Sequence, residues 1–459
     1  MSKHTVRPDA GGISLARGRK ATIDRRVAPT RVGLVCPAVS GVKTSRSPEA
    51  RLAEFEGLAR AIRLEIVFSE IVNLREIRPA TFIGGGTVER IKARVEAEKL
   101  ELVLLDTQLS PSQQRNLERA TGAKVLDRTA LILEIFGERA ATREGVLQVE
   151  LAHLTYQKGR LVRSWTHLER QRGSTSFIGG PGETQMESDR RLLEEKILVL
   201  KERIEKITRS RNEQRKSRRA EPFPMIALVG YTNSGKSTLF NRLTGAGVVV
   251  KDLLFATLDT TVRRAKLPRG REVVFSDTVG FVSDLPTDLI AAFRGTLAEV
   301  IDARIVLHVR DIASVQSAAE ATDVEAILKH LGVEPSTTAF IEVWNKIDLL
   351  PEAKRVSMRA EAATGRNGIV VCPLSAATGE GADALLLAVE NILALSSRTY
   401  SVVLPSGDGK RIHWLYENGE VLETVPAGDF ETRYEVRIGP TRKQQFLSLF
   451  EGNIAGGGA

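Results

Sequence analysis

Short apolar runs alternate with helical spacing through most of this chain, and the alternation changes character three times. Over 31–139, runs at 31–36, 64–68 and 102–106 read as buried strands, with helical patterns near 48–62 and 88–99. Ser110-Pro111-Ser112-Gln113 opens a further helix, with Ser at the cap, Pro at the first position and Gln at the third. Alternating strands and helices make 29–140 a small α/β subdomain. Over 141–219 the apolar positions step by three and four instead. Leu147, Leu151, Leu154, Leu161, Trp165 and Leu168 form one seam, interrupted by Lys158, and Leu193, Ile197, Leu200, Ile204 and Ile207 form a second. Two such seams joined by a loop pack as an antiparallel helical hairpin. From 222 to 397 the α/β pattern returns. The tail, 398–459, carries strands over 400–404 and 434–438 and a helix over 442–450. The expected fold class is α/β multidomain: an N-terminal α/β subdomain, the hairpin, a domain with a mostly parallel sheet, and a small C-terminal α/β domain.

The hairpin's joining loop, 172–183, is glycine-rich and carries Phe177 and Ile178 at its tip. Apolar side chains at the end of a stalk favour a functional loop over a passive connector. Gly84-Gly85-Gly86 could cradle a phosphate, but without a nearby lysine a tight turn is the better reading. The first 28 residues hold seven Lys or Arg against two Asp and show no apolar periodicity. They are expected to be a disordered basic tail, for which RNA contact and plain solvation are equal readings. They supply +5 of a total formal charge of +9, which favours a polyanionic partner. Only Cys36 and Cys372 occur, so neither a disulfide framework nor a cysteine zinc site is expected. No apolar run approaches the roughly 20 residues of a membrane span, and no signal peptide opens the chain. A cytoplasmic protein is expected.

The most informative stretch is Gly230-Tyr231-Thr232-Asn233-Ser234-Gly235-Lys236-Ser237. It lies between an apolar run, 225–229, and a helical pattern, the context that makes G-x-x-x-x-G-K-[ST] a phosphate site. Backbone N–H groups and the helix N-terminus would face the anion. Lys236 would reach the β- and γ-phosphates, and Ser237 would place its hydroxyl on Mg²⁺. Downstream, Asp277-Thr278-Val279-Gly280 follows an apolar strand. Its Asp can hold Mg²⁺ through water, and its Gly N–H can sense a γ-phosphate. Asn345-Lys346-Ile347-Asp348 follows another strand. A carboxylate there accepts the N1–H and 2-amino group of guanine, and adenine would leave that charge unpaired. Ser375, Ala376 and Ala377 follow a last strand and fit a loop that supports the base. Each motif is weak alone. All four, in this order and at strand C-terminal ends, point to a Mg²⁺-dependent GTPase.

The P-loop as written, the segment Phe255-Ala256-Thr257-Leu258-Asp259, and Asp277-Thr278-Val279-Gly280-Phe281 resemble the HflX family of translational GTPases. So do two upstream stretches, Leu109-Ser110-Pro111-Ser112-Gln113-Gln114-Arg115-Asn116-Leu117-Glu118 and Gly179-Gly180-Pro181-Gly182-Glu183-Thr184-Gln185. The resemblance runs from about 31 to 397. It implies binding of the large ribosomal subunit, through ribosomal RNA and protein, and splitting or rescue of stalled ribosomes under stress, with the hairpin loop reaching toward the peptidyl-transferase centre; a monomer is expected. By the family pattern Thr257 joins Ser237 on Mg²⁺, and segment 255–259 lines the nucleotide. Thr260 stands where the family often has Pro, so Thr260 and Thr261 compete with Thr257. Ala377 stands where many GTPases have Lys. Asn233 resembles an Asn that helps bind K⁺ in related P-loops.

Ras-like GTPases place a Gln after this D-x-x-G to orient the attacking water. Here that position is Phe281, which has no polar atom, so no catalytic side chain is assigned. Slow intrinsic hydrolysis is expected, with activation by a partner that orders switch I (248–261) and switch II (280–286). GTP would raise ribosome affinity and hydrolysis to GDP would release it. Two other readings stay open. One is a large-subunit assembly GTPase. The other is an RNA-modifying enzyme timed by its GTPase, for which His153, His167 and His308 offer no evident second centre.

Overall fold

The computed structural model of the chain describes residues 29–41, 46–171, 181–218, 223–247, 254–255, 260–285, 297–334, 338–366, 368–395, 398–428, 430–438 and 440–454. The first layer contains β1 (Arg31–Val39), α1 (Pro48–Ala61), β2 (Glu65–Leu74), α2 (Gly85–Glu98), β3 (Leu102–Leu105), α3 (Pro111–Thr121), β4 (Lys124–Asp127) and α4 (Arg128–Arg139). Its four strands are parallel, in the order β2-β1-β3-β4. The capping box at Ser110 forms as its sequence dictates: the Ser110 hydroxyl accepts from Gln113 N, and the Gln113 side chain accepts from Ser110 N. Strand β4 and helix α4 were not anticipated. β4 is Lys124-Val125-Leu126-Asp127, with only two apolar residues between charged ends, unlike the continuous apolar run of β3. At 84–86, Gly84 caps α2 with ordinary extended dihedrals, and a Cβ at any of the three glycines would meet nothing. The run is a helix start, neither a left-handed turn nor a steric necessity.

The hairpin is α5 (Arg143–Gln171) and α6 (Pro181–Arg218). Lys158, which interrupts the apolar seam, faces Glu194 on α6 at 3.1 Å. At the root of α5 the most buried positions are Gln148, Val149 and Ala152, while Leu147, Leu151 and Leu154 are half-buried. The root packs on α4 as well as α6, so its buried stripe is wider than one seam. Asp127, the cap of α4, also accepts from Tyr156 Oη at 2.9 Å and faces Arg160 at 3.3 Å, and Arg160 donates to Gln114 in α3. These bonds tie the stalk to the α/β layer. The tip residues 172–180, including Phe177 and Ile178, lie outside the described residues.

The second sheet has six strands, in the order β10-β9-β8-β5-β7-β6. It is built from β5 (Met225–Gly230), α7 (Lys236–Thr244), β6 (Thr261–Lys266), β7 (Glu272–Asp277), α8 (Ala298–Ile301), β8 (Ile305–Asp311), α9 (Ser317–His330), β9 (Ala339–Asn345), α10 (Glu352–Ala363), β10 (Val370–Pro373) and α11 (Ala382–Leu395). Only β6 is antiparallel. It escaped the sequence reading because its outer positions are polar, as suits an exposed sheet edge. The third unit contains β11 (Arg398–Pro405), α12 (Gly409–Asn418), β12 (Glu420–Pro426), β13 (Glu431–Ile438) and α13 (Pro440–Leu449), with an antiparallel sheet ordered β11-β13-β12. Strand β12 and helix α12 were also not anticipated. β12 is an edge strand with a register shift between Val421 and Glu423, which breaks its alternation.

The N-terminal layer and the second sheet share one apolar core. Phe55, Leu58, Leu131, Ile132 and Phe136 from the first meet Tyr231, Phe255, Val279, Phe281 and Val282 from the second in a continuous buried cluster. Phe136 and Phe255 pack edge to face with centroids 4.7 Å apart.

Candidate nucleotide-binding site

The loop 230–235 leaves the C-terminal end of β5, between β8 and β7, where open α/β sheets bind ligands. Its two framing glycines are sterically required. A Cβ on Gly230 would lie 2.2 Å from Val309 O, and one on Gly235 would lie 2.2 Å from Asn345 Nδ2 at a left-handed φ of +93°. Asn233 also takes a positive φ, +59°. Lys236 folds back over the loop and donates to Tyr231 O at 2.7 Å. Burial pushes its ammonium down to about 8, although Asp277 opposes the shift. A phosphate at the loop would restore the charged form. Two buried hydroxyls here, Thr232 Oγ1 and Ser234 Oγ, have no hydrogen-bond partner among the described residues. Orphaned buried polar groups in a loop of this shape suit a ligand with acceptor oxygens.

The other motifs converge on this loop. Asp277, fully buried at the end of β7, accepts from Ser237 Oγ at 2.6 Å. Thr278 donates to Leu228 O at 2.6 Å, and Val279 is buried. Gly280 approaches so closely that a Cβ would lie 2.9 Å from the Thr232 side chain and 3.0 Å from Lys236 Nζ. Phe281 N donates to Gly230 O at 3.1 Å, and Thr232 N donates to Phe281 O at 2.7 Å. The Phe281 ring lies in the shared core, 3% exposed. Phe255 is buried with it, whereas Ala256, Thr257, Leu258 and Asp259 lie outside the described residues. Thr261 begins β6 directly opposite Asp277, and Thr260 precedes it.

On the far side, Asn345 donates to Ser234 O at 2.7 Å and accepts from Ala376 N at 2.9 Å, joining the P-loop to the 375–377 loop. Lys346 pairs with Asp311 at 2.8 Å. Ile347 is buried, and Asp348 lies half-exposed in the short 3-10 turn Ile347–Leu349. Ser375 Oγ accepts from Thr378 N at 3.1 Å. Arg242, in the last turn of α7, donates to the carbonyls of Ala376 and Ala377.

A second set of contacts was not legible in the sequence. The Tyr231 hydroxyl accepts from Arg46 Nη1 at 2.6 Å and from Ser283 N at 2.6 Å. Glu54 bridges Arg46 at 2.5 Å and Arg128 at 2.7 Å, and its carboxylate accepts from Ser283 Oγ at 2.9 Å. Arg128 reaches on to Asp106 at 2.7 Å, and Arg46 to Asp323 at 2.7 Å. Burial alone would raise the Glu54 carboxyl, but Arg128 and then Arg46 hold it below its usual range. The hydroxyl of Tyr231 is pushed well up by burial and by Glu54. Through these bonds the N-terminal layer grips both the P-loop and the segment after D-x-x-G. The partners are far apart in sequence and belong to common residue types, so no local signal marks them.

A mononucleotide fold with a P-loop, a buried Asp beside its Ser, and an Asn tying the loop to a base-side strand turn define a P-loop GTPase. Family models match along the chain in the same order: "GTP-binding GTPase N-terminal" over residues 49–137, "GTP-binding GTPase Middle Region" over 139–218, and "50S ribosome-binding GTPase" over 225–346. The chain is 43% identical over 410 residues to the GTPase HflX of Magnetococcus marinus, covering 89% of this chain and 93% of that one. It is 41% identical over 382 residues to the GTPase HflX of Escherichia coli, covering 81% and 88%. With the GTPase HflX of Caldanaerobacter subterraneus it shares 40% over 380 residues, covering 83% and 86%. The chain belongs to the HflX family of GTPases and hydrolyses GTP. Among the described residues, no helix is long and apolar enough to cross a membrane.

Proposed function

We propose that this GTPase uses Mg²⁺, binds the large ribosomal subunit in its GTP state, and splits or rescues stalled ribosomes under stress. One observation carries the reading. The P-loop and the start of switch II share a buried core and a charge network with the layer that roots the 29- and 38-residue helices of the stalk. A change at the γ-phosphate therefore has a packed route to a long projecting arm. The match to a model described as a 50S ribosome-binding GTPase supports the choice of partner.

In this reading the P-loop residues Gly230 to Ser237 enclose the phosphates, and Lys236 answers the β- and γ-oxygens. The residues near Ser237 fit Mg²⁺. The Ser237 hydroxyl and the Asp277 carboxylate, 2.6 Å apart, are hard oxygen donors of the kind Mg²⁺ prefers. Ser237 and Thr257 would hold the ion directly and Asp277 through water; when bound, it neutralises phosphate charge. The Gly280 N–H senses the γ-phosphate, and Asp348 reads the guanine edge. Asn233 would complete a K⁺ site. Phe281 lies in the core and has no means to orient water, so activation falls to the bound subunit.

The test is GTP turnover with and without purified large subunits, in K⁺ and in Na⁺, with co-sedimentation in a non-hydrolysable GTP analogue or GDP. Strong stimulation with triphosphate-selective binding is the expected result, and with intact 70S particles in place of large subunits, their dissociation. Fast turnover without subunits, or binding indifferent to nucleotide, would overturn the reading.

A further inference from the structure

Ala377 lacks the long side chain that many GTPases place in the base loop, yet the loop is firmly tied from beneath. Arg242 Nε donates to Ala376 O at 3.3 Å, and Nη2 donates to Ala377 O. Two parallel donors on consecutive carbonyls use the fixed fork of a guanidinium, which a lysine cannot reproduce. Gly379 completes the seat. It holds a left-handed φ of +94°, and a Cβ there would lie 3.1 Å from Arg242 Nη1 and 3.3 Å from Cζ. The glycine thus serves the turn and also leaves the slot the guanidinium fills. Ala376 N of the same loop donates to Asn345 Oδ1, and the loop's far end is held by Arg359 on Glu380.

Arg242 belongs to α7, whose first residue is the P-loop lysine. We propose that Arg242 is a positioning residue for guanine recognition: it fastens the base loop 375–377 to the helix that begins at the phosphates, so one rigid element sets the distance between the two ends of the nucleotide. This deepens the site reading above and rests on 375–377 facing the base. The nucleotide pays for ordering this loop if the protein has not already done so. Loss of Arg242 therefore falls on binding of the base half, not on phosphate binding or chemistry.

The experiment uses the full chain and two probes: GDP, which needs both halves of the site, and inorganic tripolyphosphate, which needs only the P-loop. For Arg242→Ala, GDP affinity falls about tenfold, the scale of one charge-assisted hydrogen bond, while competition by tripolyphosphate stays within about twofold. The same variant raises the KM for GTP and keeps kcat, and preference for GTP over ATP narrows. Arg242→Lys recovers only part of the loss. Gly379→Ala, which crowds the guanidinium and strains the turn at its left-handed φ, weakens GDP in the same direction and likewise spares tripolyphosphate. Equal losses for GDP and tripolyphosphate would show that the substitution merely disturbs α7 and would overturn the proposal, as would unchanged GDP affinity. Asp348→Asn, assayed alongside, separates the two levels. If it moves base preference from guanine toward xanthine while Arg242→Ala does nothing, the clamp is wrong and the site reading stands. If neither variant affects base choice, the base-site reading itself fails.

Discussion

Removing the Glu54 side chain would disturb two buried cations at once. Its carboxylate lies between two guanidinium groups whose residues, Arg46 and Arg128, are 7% and 5% exposed, and it also accepts from Ser283. Glu54→Ala strips a partner from both cations at once. Removing one partner of a buried pair costs about 3–5 kcal/mol, because the remaining charge is left in a poor solvent. Here Arg46 retains Asp323 and Tyr231, and Arg128 retains Asp106. The lower end of that range applies, about 3 kcal/mol. Across the roughly 290 residues of the two joined layers, at about 2.1 cal/mol/K per residue, Tm falls by about 5 °C. The assay is urea and thermal unfolding of the full chain, followed by fluorescence, beside Glu96→Ala as control. Glu96 pairs with Lys92 at 3.9 Å on an exposed helix face, where a loss of about 0.5 kcal/mol or less is expected. A double-mutant cycle with Ser283→Ala should return a coupling of about 1 kcal/mol or more, since the two side chains touch. A Glu54 penalty no larger than the control's, or additivity with Ser283, would refute the claim that this network joins the two layers.

His308 makes stability depend on acid. Burial pushes its imidazole down to about 4, so the unfolded chain takes a proton below about pH 6.5 while the folded chain does not until about 4. Its contribution is complete above pH 6.5 and is lost as pH falls toward 4, by about 3 kcal/mol in all; His308→Gln should flatten that slope in pH-dependent unfolding. Phe281→Gln should not speed intrinsic turnover, because the side chain points into the shared core. It should instead lower stability by about 3 kcal/mol, and a rise in kcat for unstimulated GTP hydrolysis would contradict the placement. Gly235→Ala should fold yet lose GDP affinity by more than about tenfold, since its Cβ collides with Asn345 at a φ that side chains avoid; calorimetric titration decides it.

The nucleotide site was legible because each motif is a short run whose chemistry depends on its immediate neighbours. Gly230 to Ser237, Asp277 to Gly280 and Asn345 to Asp348 each follow a readable apolar strand. The resemblance added the expected ribosomal partner and the expected role of segment 255–259. The same reading treated Tyr231 as one more P-loop residue and Phe281 only as a missing glutamine. Their real surroundings come from chain segments read as a separate domain: Tyr231 meets Arg46 across 185 positions, and Ser283 meets Glu54 across 229. No window along the sequence spans such distances. Edge strands β6 and β12 were missed for another reason. Exposure removes the alternation that would announce them.

The shared core also constrains how the protein is made. Phe136 leaves the translating ribosome well before Phe255, the ring it packs against. At roughly 5–20 residues per second, an interval of about 120 residues lasts about 6–24 s. During that time Glu54, Arg46, Arg128 and Asp106 can already pair with one another, since all four belong to the first layer. Leu131, Ile132 and Phe136 can likewise pack early on Phe55, Leu58, Val149 and Ala152, but their contacts with Phe255, Val279 and Phe281 must wait. The nascent N-terminal layer therefore has its internal ion pairs available, while the bonds to Tyr231, Ser283 and Asp323 and the packing on Phe255 form only when the GTPase layer arrives. Separating the two by truncation would make that interim state permanent, leaving a sticky surface on each fragment.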